Sequence, residues 1–267
     1  MQLQDVIFMK NPKISVVTAV YNGAKYIEEN ILSVKNQSYP SIEHIIIDGG
    51  SKDGTVEIIK KYEGSYNLKW VSEKDGGFYF ALNKGFALAA GDIYTWLDGD
   101  NYFFLDTLKK VADIFEGNNE IDIVHGDIEI VENNGKHGGT YRAPDVSFRK
   151  ALLKNTGAIP LQPASFFKKE LYKKTSDFNT DYQIAADYEF WLRGLRSNPR
   201  IFCLHTVFGS YRRGNDAVSQ SFKGVLRGYR EMSAIGEAYG APLYAKIFLL
   251  LKYCAGLASA SVKRVFK

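Results

Sequence analysis

Two aspartates separated by a single glycine close an apolar run. The segment Gly91-Asp-Ile-Tyr-Thr-Trp-Leu-Asp-Gly-Asp-Asn101 puts Asp98 and Asp100 directly after Ile93 to Leu97, which reads as a buried strand. A strand ending in this way projects carboxylates into the crevice at the carboxyl edge of a sheet, where open α/β sheets bind ligands. A hard divalent cation such as Mg²⁺ or Mn²⁺ takes oxygen ligands, often one or two carboxylates with substrate phosphates completing the shell. The pattern therefore fits a metal–diphosphate site. Taken alone, the same three residues also make a solvated turn.

The elements that must position these carboxylates are legible from periodicity. Ile14 to Val20 is a β-branched run ended by Tyr21-Asn22-Gly23, a strand and then a turn. Residues 24–36 carry Ile27, Ile31, Leu32 and Val34 at helical spacing, and His44 to Asp48 reads as a second buried strand. The glycine-rich turn Gly49 to Thr55 leads into a helix carrying Val56, Ile58 and Ile59. Leu68 to Val71 is a third strand and Phe78 to Ala90 a third helix, stopped by Gly91. Ile93 to Leu97 is followed by a helix over Leu105 to Phe115. Such alternation predicts a mostly parallel, doubly wound sheet flanked by helices. Beyond about residue 120 the alternation weakens; Ile121 to Val124 and Ile128 to Val131 read as two strands, and Ala185 to Arg196 as a helix.

Composition narrows the class. A chain of 267 residues, 45% hydrophobic, can bury a substantial core. Cys203 and Cys254 sit apart in apolar surroundings, which fits neither a disulfide framework nor a zinc site and suits a reducing cytoplasm. Met1 to Asn11 has no basic stretch leading into an apolar core, so no secretory signal is read there. Net charge is +4, but the last 27 residues alone carry +5 and the preceding 240 carry −1. A nearly neutral body with a basic tail does not indicate nucleic-acid binding.

Further polar groups fall at strand ends. Asp48 ends the second strand, where it either accepts hydrogen bonds from a nucleobase edge or ribose, or caps the loop. Asp53, just before Gly54 and Thr55, reads as the helix cap. Asp75, in Glu73-Lys-Asp-Gly-Gly77, is another loop carboxylate, so the crevice is lined by Asp48, Asp75, Asp98 and Asp100. That is too acidic for a bare phosphate without a cation. Asn83 and Lys84 on the third helix are candidate diphosphate donors, or an ordinary polar face. His125 and His205 have no companion ligands and read as structural.

The ordered set Ile14-Ser-Val-Val-Thr-Ala-Val-Tyr-Asn22, Ile47-Asp-Gly-Gly-Ser-Lys-Asp-Gly-Thr55, Asp75-Gly-Gly with Ala81-Leu-Asn-Lys-Gly85, Gly91-Asp92 and Leu97-Asp-Gly-Asp100 resembles family 2 glycosyltransferases over about residues 12–215. It is most similar to the bacterial branch that builds exopolysaccharide, capsule or O-antigen. The resemblance implies a GT-A fold and inverting transfer from a nucleotide diphosphate sugar, a UDP-sugar by preference, to a glycan or polyprenyl-linked acceptor. It further implies that Thr18, Ala19, Tyr21 and Asp48 hold base and ribose, with Asp75 opposite. Asp98 and Asp100 match the family's Asp-x-Asp position at the metal. Relatives often carry Asn-x-Asp-Asp there, and an aspartate where this chain has Phe80. Gln162-Pro-Ala-Ser-Phe-Phe167 resembles the segment beneath the acceptor site. Ala186-Asp-Tyr-Glu-Phe-Trp-Leu-Arg193 resembles the helix opening that carries the catalytic base, matched by Asp187 and not by Glu189. Near a helix N-terminus Asp187 is expected to stay ionised. Trp191 is either core or a sugar-stacking wall, and Arg212 or Arg213 is placed to meet phosphate oxygens.

The implied organisation is a catalytic domain over residues 1–220, with a nucleotide-sugar half (about 12–101) and an acceptor half (102–220), plus a helical extension over 221–267. Within it, Leu243 to Val262 is mostly apolar, but Lys246 and Lys252 make a bilayer crossing expensive. At 100° per residue Lys252, Ser259 and Lys263 fall within about 20° of one line. That suits an amphipathic helix on the inner face of the cytoplasmic membrane; packing on the domain or in a homodimer are the alternatives. A sugar-nucleotide pyrophosphorylase would need a glycine-rich phosphate loop ending in Arg after the first strand, and Tyr21-Asn-Gly-Ala-Lys25 is not one. An NAD(P)-dependent oxidoreductase would need Gly-x-Gly-x-x-Gly there. A silent nucleotide- or glycan-binding subunit would not need both Asp-Gly-Asp and Asp187.

Overall fold

The computed structural model describes residues 9–132, 134–213, 221–251 and 253. Its centre is a strand, β1 (Ile14–Val20), buried along its whole length. The chain then runs α1 (Ile27–Lys35), β2 (Ile42–Asp48), α2 (Thr55–Lys60), β3 (Leu68–Ser72), α3 (Phe78–Leu88), β4 (Ile93–Trp96) and α4 (Thr107–Gly117). β2 pairs with β1 in parallel, β3 with β2 in parallel, and β4 returns to the other side of β1, also parallel. The order β3-β2-β1-β4 reverses direction between β1 and β4, and such a switch point opens a crevice outside the strands' carboxyl ends. Register aligns those ends: Val20 lies beside Asp48, and Asp48 beside Ser72.

The second half changes the pattern. β5 (Ile123–Glu132), β6 (His137–Tyr141), α5 (Phe148–Lys154), β7 (Ser165–Lys168), α6 (Lys169–Thr175), α7 (Ala186–Arg196), β8 (Ile201–Arg213) and α8 (Phe222–Ala238) follow. β7 inserts antiparallel between β4 and β5, and β8 pairs with β5 in parallel. The two short strands expected around 121–131 are therefore one continuous strand, β5. Its middle carries a register shift against β8 at Gly126 and Asp127, the residues that made the sequence look interrupted.

Alternate residues of the buried strands face two cores. Val17, Ala19, Ile45, Ile47 and Trp96 pack against α3 and α7, while Ile14, Val16 and Ile93 pack with Val34 of α1 and Leu108, Val111 and Phe115 of α4. The C-terminal extension is not separate from this body. Met232, Ile235 and Leu249 are buried in the α3/α7 core. A further helix over residues 243–251 buries Ala245 and Leu249 but exposes Leu243, Tyr244, Ile247, Phe248, Leu250 and Leu251. Among the described residues no helix is long and apolar enough to cross a membrane. The remainder of the Leu243 to Val262 segment, with Cys254, lies outside the described residues.

Candidate active site

Gly99 lets the Asp98–Asp100 turn press onto β1: a Cβ there would stand 2.9 Å from Val20 Cβ. The turn is tied down from α1, where Asn30 Nδ2 donates to the carbonyls of Asp98 and Asn101, both at 3.0 Å. Asp98 Oδ1 is enclosed with no hydrogen-bond partner. Burial, then the charges of Asp100 and Asp187, push its carboxyl up to about 7. Burial also raises Asp100, countered in part by the Arg212 guanidinium.

Asp187 opens α7, in whose first turn it lies. Its Oδ1 accepts from the Tyr188 N–H at 2.7 Å and faces the Tyr79 hydroxyl of α3 at 3.4 Å. The helix end and these donors favour the anion, but burial outweighs them and lifts the carboxyl to about 6. At about 6 the carboxyl still ionises at neutral pH, as a helix-end aspartate was expected to, but its proton equilibrium is shifted well above the ordinary aspartate range. Tyr211, near the end of β8, has its phenol raised by burial and by the charges of Asp98, Asp100 and Asp187. No signal in the sequence marked Tyr79 or Tyr211, because their roles depend on strands and helices meeting across the crevice.

On the β1–β3 side, the Tyr21 ring and the Asp75 carboxylate meet over Gly49, whose Cβ would lie 3.3 Å from the ring and 3.4 Å from both carboxylate oxygens. Tyr21 is 68% exposed, an open aromatic face at the switch point. Asp75 Oδ1 holds the Gly77 N–H at 2.8 Å. Asp48 is fully buried, and its oxygens accept from the N–H groups of Gly50 and Ser51 and the hydroxyls of Ser51 and Ser72. It shapes the loop beneath Tyr21 and Asp75. The residue that caps α2 is Gly54, not Asp53 as expected; Asp53, one position earlier, accepts from the Thr55 N–H at 3.1 Å and from the Ala24 N–H at 3.0 Å, tying the loop to the turn after β1.

Several candidates are committed elsewhere. Thr18 faces the α1 side, bonded to His44 Nε2 at 2.9 Å, so its hydroxyl does not line the crevice; alternation along β1 turns it away. Ala19 is buried, and its carbonyl receives the Gly99 N–H. Asn83 clamps Phe178 through both amide groups, to its carbonyl at 2.9 Å and from its N–H at 2.8 Å, and Lys84 is paired with Glu73. Neither is disposed as a diphosphate donor. Arg212 bonds the Asp100 carbonyl at 3.0 Å and Glu29 at 2.7 Å and lies 4.2 Å over the Tyr26 ring, a buttress under the turn. Arg213 pairs with Glu132 at 3.7 Å. Trp191 is fully buried and stacks on Trp96 with centroids 6.0 Å apart, which removes the sugar-wall alternative. Arg193 bonds Glu189 and the carbonyls of Thr175 and Asp177. Gln162 has both amide atoms buried and unpartnered, beside the cis bond to Pro163 and just ahead of β7. His125 is buried and pushed down to about 4, mainly by burial, and His205 bonds Asp127 at 3.2 Å, so both are structural.

Among the described residues no three acidic, histidine or cysteine side chains form a ready metal cage. Two carboxylates on one turn fit instead the mode in which a cation's shell is completed by substrate phosphates. A pocket of about 530 Å³ lies apart from these carboxylates, between α1 and residues 102–105.

A mostly parallel sheet reversing at β1/β4, with carboxylates at that switch point and another on a helix, makes an α/β fold of the GT-A type. The chain belongs to glycosyl transferase family 2, whose model matches residues 15–176. It is 32% identical over 185 residues to the uncharacterized glycosyltransferase MT1564 of Mycobacterium tuberculosis, covering 68% of each chain. It is 26% identical over 208 residues to the PGL/p-HBAD biosynthesis glycosyltransferase of Mycobacterium bovis, covering 76% of this chain and 78% of that one. In fold it resembles S. aureus TarS 1–349 in complex with UDP-GlcNAc, with a TM-score of 0.69 at 24% identity over 92% of this chain and 73% of that one. It also resembles the mannosyltransferase PcManGT of Pyrobaculum calidifontis in complex with GDP-Man and Mn²⁺, with a TM-score of 0.66 at 21% identity over 95% and 74%.

Proposed function

We propose that this glycosyltransferase is inverting and metal-dependent, moving a sugar from a nucleotide diphosphate sugar, UDP-linked by preference, to a glycan or lipid-linked glycan acceptor in surface polysaccharide assembly. The observation that carries the reading is the meeting of Asp98, Asp100 and Asp187 at one crevice, with Asp98 Oδ1 enclosed and unpartnered. Tyr21 and Asp75 flank the base and ribose. Asp98 and Asp100 would hold Mg²⁺ or Mn²⁺, which would neutralise charge on the departing diphosphate. An enclosed carboxylate oxygen without a donor suits a cation better than it suits water. Structures of TarS with UDP-GlcNAc and of PcManGT with GDP-Man and Mn²⁺ support the class of donor and cofactor.

In the transfer step the acceptor oxygen bonds to the anomeric carbon as the bond from that carbon to the diphosphate oxygen breaks. The nucleoside diphosphate leaves with the electron pair, opposite the attack. The acceptor proton passes to the Asp187 carboxylate, help typically worth about 10²–10⁴-fold. Gln162, whose amide atoms have no protein partner, is the candidate to meet an acceptor hydroxyl. The exposed apolar face of residues 243–251, next to the basic tail, supports seating on an anionic membrane surface on the cytoplasmic side.

A thermal-shift panel of UDP, GDP, dTDP and CMP, each with and without Mn²⁺ or Mg²⁺, tests the reading. A shift with one nucleotide that needs the cation and vanishes in Asp100→Ala supports it. An unchanged affinity in Asp100→Ala removes the metal assignment, and no shift with any nucleotide favours a silent subunit.

A further inference from the structure

The turn that delivers Asp187 into the crevice has no cap of its own. Ala185, which precedes α7, offers no side-chain acceptor, and a helix start leaves its first N–H groups without intrahelical partners. The N–H groups just ahead of α7, down to that of Ala185 at its start, find their acceptor on α8. Glu231 Oε1 accepts from the Gln183 N–H at 3.0 Å, and its Oε2 accepts from the N–H groups of Ile184 and Ala185 at 2.8 and 3.0 Å. Arg227, one turn earlier on α8, bonds the Gln183 side chain. The same turn is gripped from the other side, where the Ile184 carbonyl accepts from the Tyr79 hydroxyl at 3.2 Å. One carboxylate from the C-terminal extension thus takes three consecutive backbone donors immediately before Asp187.

We propose that Glu231 is a positioning residue for transfer: it sets the 183–185 turn and through it aims Asp187 at the acceptor hydroxyl. The C-terminal extension is then part of the active site rather than an appendage. The proposal rests on Asp187 being the base. An anion is suited to this place, because three N–H dipoles converge on it and charge-assisted bonds to backbone donors are stronger than neutral ones. α8 is held in place by Met232 and Ile235 in the α3/α7 core, so the carboxylate is anchored on a rigid element. A displacement near 1 Å at a catalytic group costs about a hundredfold in rate. The effect is expected in turnover and not in donor affinity, since Tyr21, Asp75, Asp98 and Asp100 stand on other elements.

The test compares wild type, Glu231→Gln and Glu231→Ala as full chains. Hydrogen exchange of the Gln183, Ile184 and Ala185 amides needs no substrate. It should accelerate by about tenfold or more in Glu231→Ala as the turn opens locally, and less in Glu231→Gln, whose amide oxygen keeps acceptors for Ile184 and Ala185. Unchanged exchange in Glu231→Ala overturns the proposal, and Glu231→Gln serves the same purpose if the alanine variant does not fold. With UDP-GlcNAc and GDP-mannose as donor probes, kcat should fall by about a hundredfold in Glu231→Ala at an unchanged donor KM, with partial recovery in Glu231→Gln. A rise in KM at constant kcat, or full kcat in Glu231→Ala, also overturns it. In an Asp187→Asn background the Glu231→Ala loss should disappear; a loss of the same size there shows Glu231 acting by another route. An Asp187→Asn variant with normal turnover sinks the base assignment alone, since the exchange result does not depend on it.

Discussion

The pH dependence of transfer follows from where Asp187 sits. A base must be ionised to accept the acceptor proton, and burial holds this carboxyl at about 6 instead of its usual 3.8. With a midpoint of about 6, the active fraction is about 0.9 at pH 7 and about 0.09 at pH 5, so the rate should fall about tenfold between them. An ordinary aspartate would leave the rate nearly flat over that range. The assay is the initial rate of nucleoside diphosphate release from pH 4.5 to 8.5 at saturating Mn²⁺, which under the proposed metal assignment would keep Asp98 ionised and its own titration out of the profile. Tyr79→Phe sharpens the test. Its hydroxyl, 3.4 Å from Asp187 Oδ1, favours the anion, so its loss should move the acid limb upward. The bond is long and shared with the Ile184 carbonyl, so the move should be about half a pH unit, worth about 0.7 kcal/mol. Asp187→Asn should lower kcat by about 10²–10⁴-fold, roughly 3–5 kcal/mol, and erase the limb. An acid limb near 4 in the wild type, or a limb near 6 that survives in Asp187→Asn, would refute the reasoning.

Three other outcomes are expected. Glu43 is fully buried and, despite burial, held at about 2 against 4.5 by Ser15, the Ala90 N–H, Lys13 and Lys69. A depressed carboxyl stabilises the fold above its unfolded pKa, and that contribution disappears as pH falls from 4.5 through 2. Discounted for the partly exposed lysines, the loss should be about 2 kcal/mol, and urea melts that are equally stable at pH 6 and pH 2.5 in wild type but differ in Glu43→Gln would contradict it. Trp191→Ala should cost about 3–5 kcal/mol and lower the melting temperature, because it empties a site stacked on Trp96; a stable variant that has lost only acceptor binding would restore the sugar-wall reading. Truncation after Pro242, or Ile247→Glu with Phe248→Glu, should abolish sedimentation with vesicles rich in phosphatidylglycerol, whereas unchanged sedimentation would favour packing or dimerisation for the apolar face.

What the sequence determined by itself was the frame of the site. Short β-branched runs alternating with amphipathic helices specify β1, α1, β2, β3, α3 and β4, since both periodicities are local. Parallel pairing then brings the ends of β1, β2 and β4 to one edge, and with them Tyr21, Asp48 and Asp98. Asp187 was legible too, through the motif at the start of its helix. The use of each polar group was not. Asp48 and Asp98 are alike as sequence, each an aspartate ending an apolar run, yet the first is saturated by its own loop and by Ser72 of β3, and the second keeps an oxygen without a partner. Arg212 is spoken for by a carbonyl 112 positions away, and Asn83 by one 95 positions away. β7, inserted antiparallel beside β4, left no readable alternation because Ser165–Lys168 is buried at every position. Hydrogen-bond partners, desolvation and hence the proton affinity of Asp187 are set by groups brought together from distant stretches of chain. Only the packed tertiary structure decides them, because burial and partnership are properties of the place a side chain reaches and not of its neighbours in sequence.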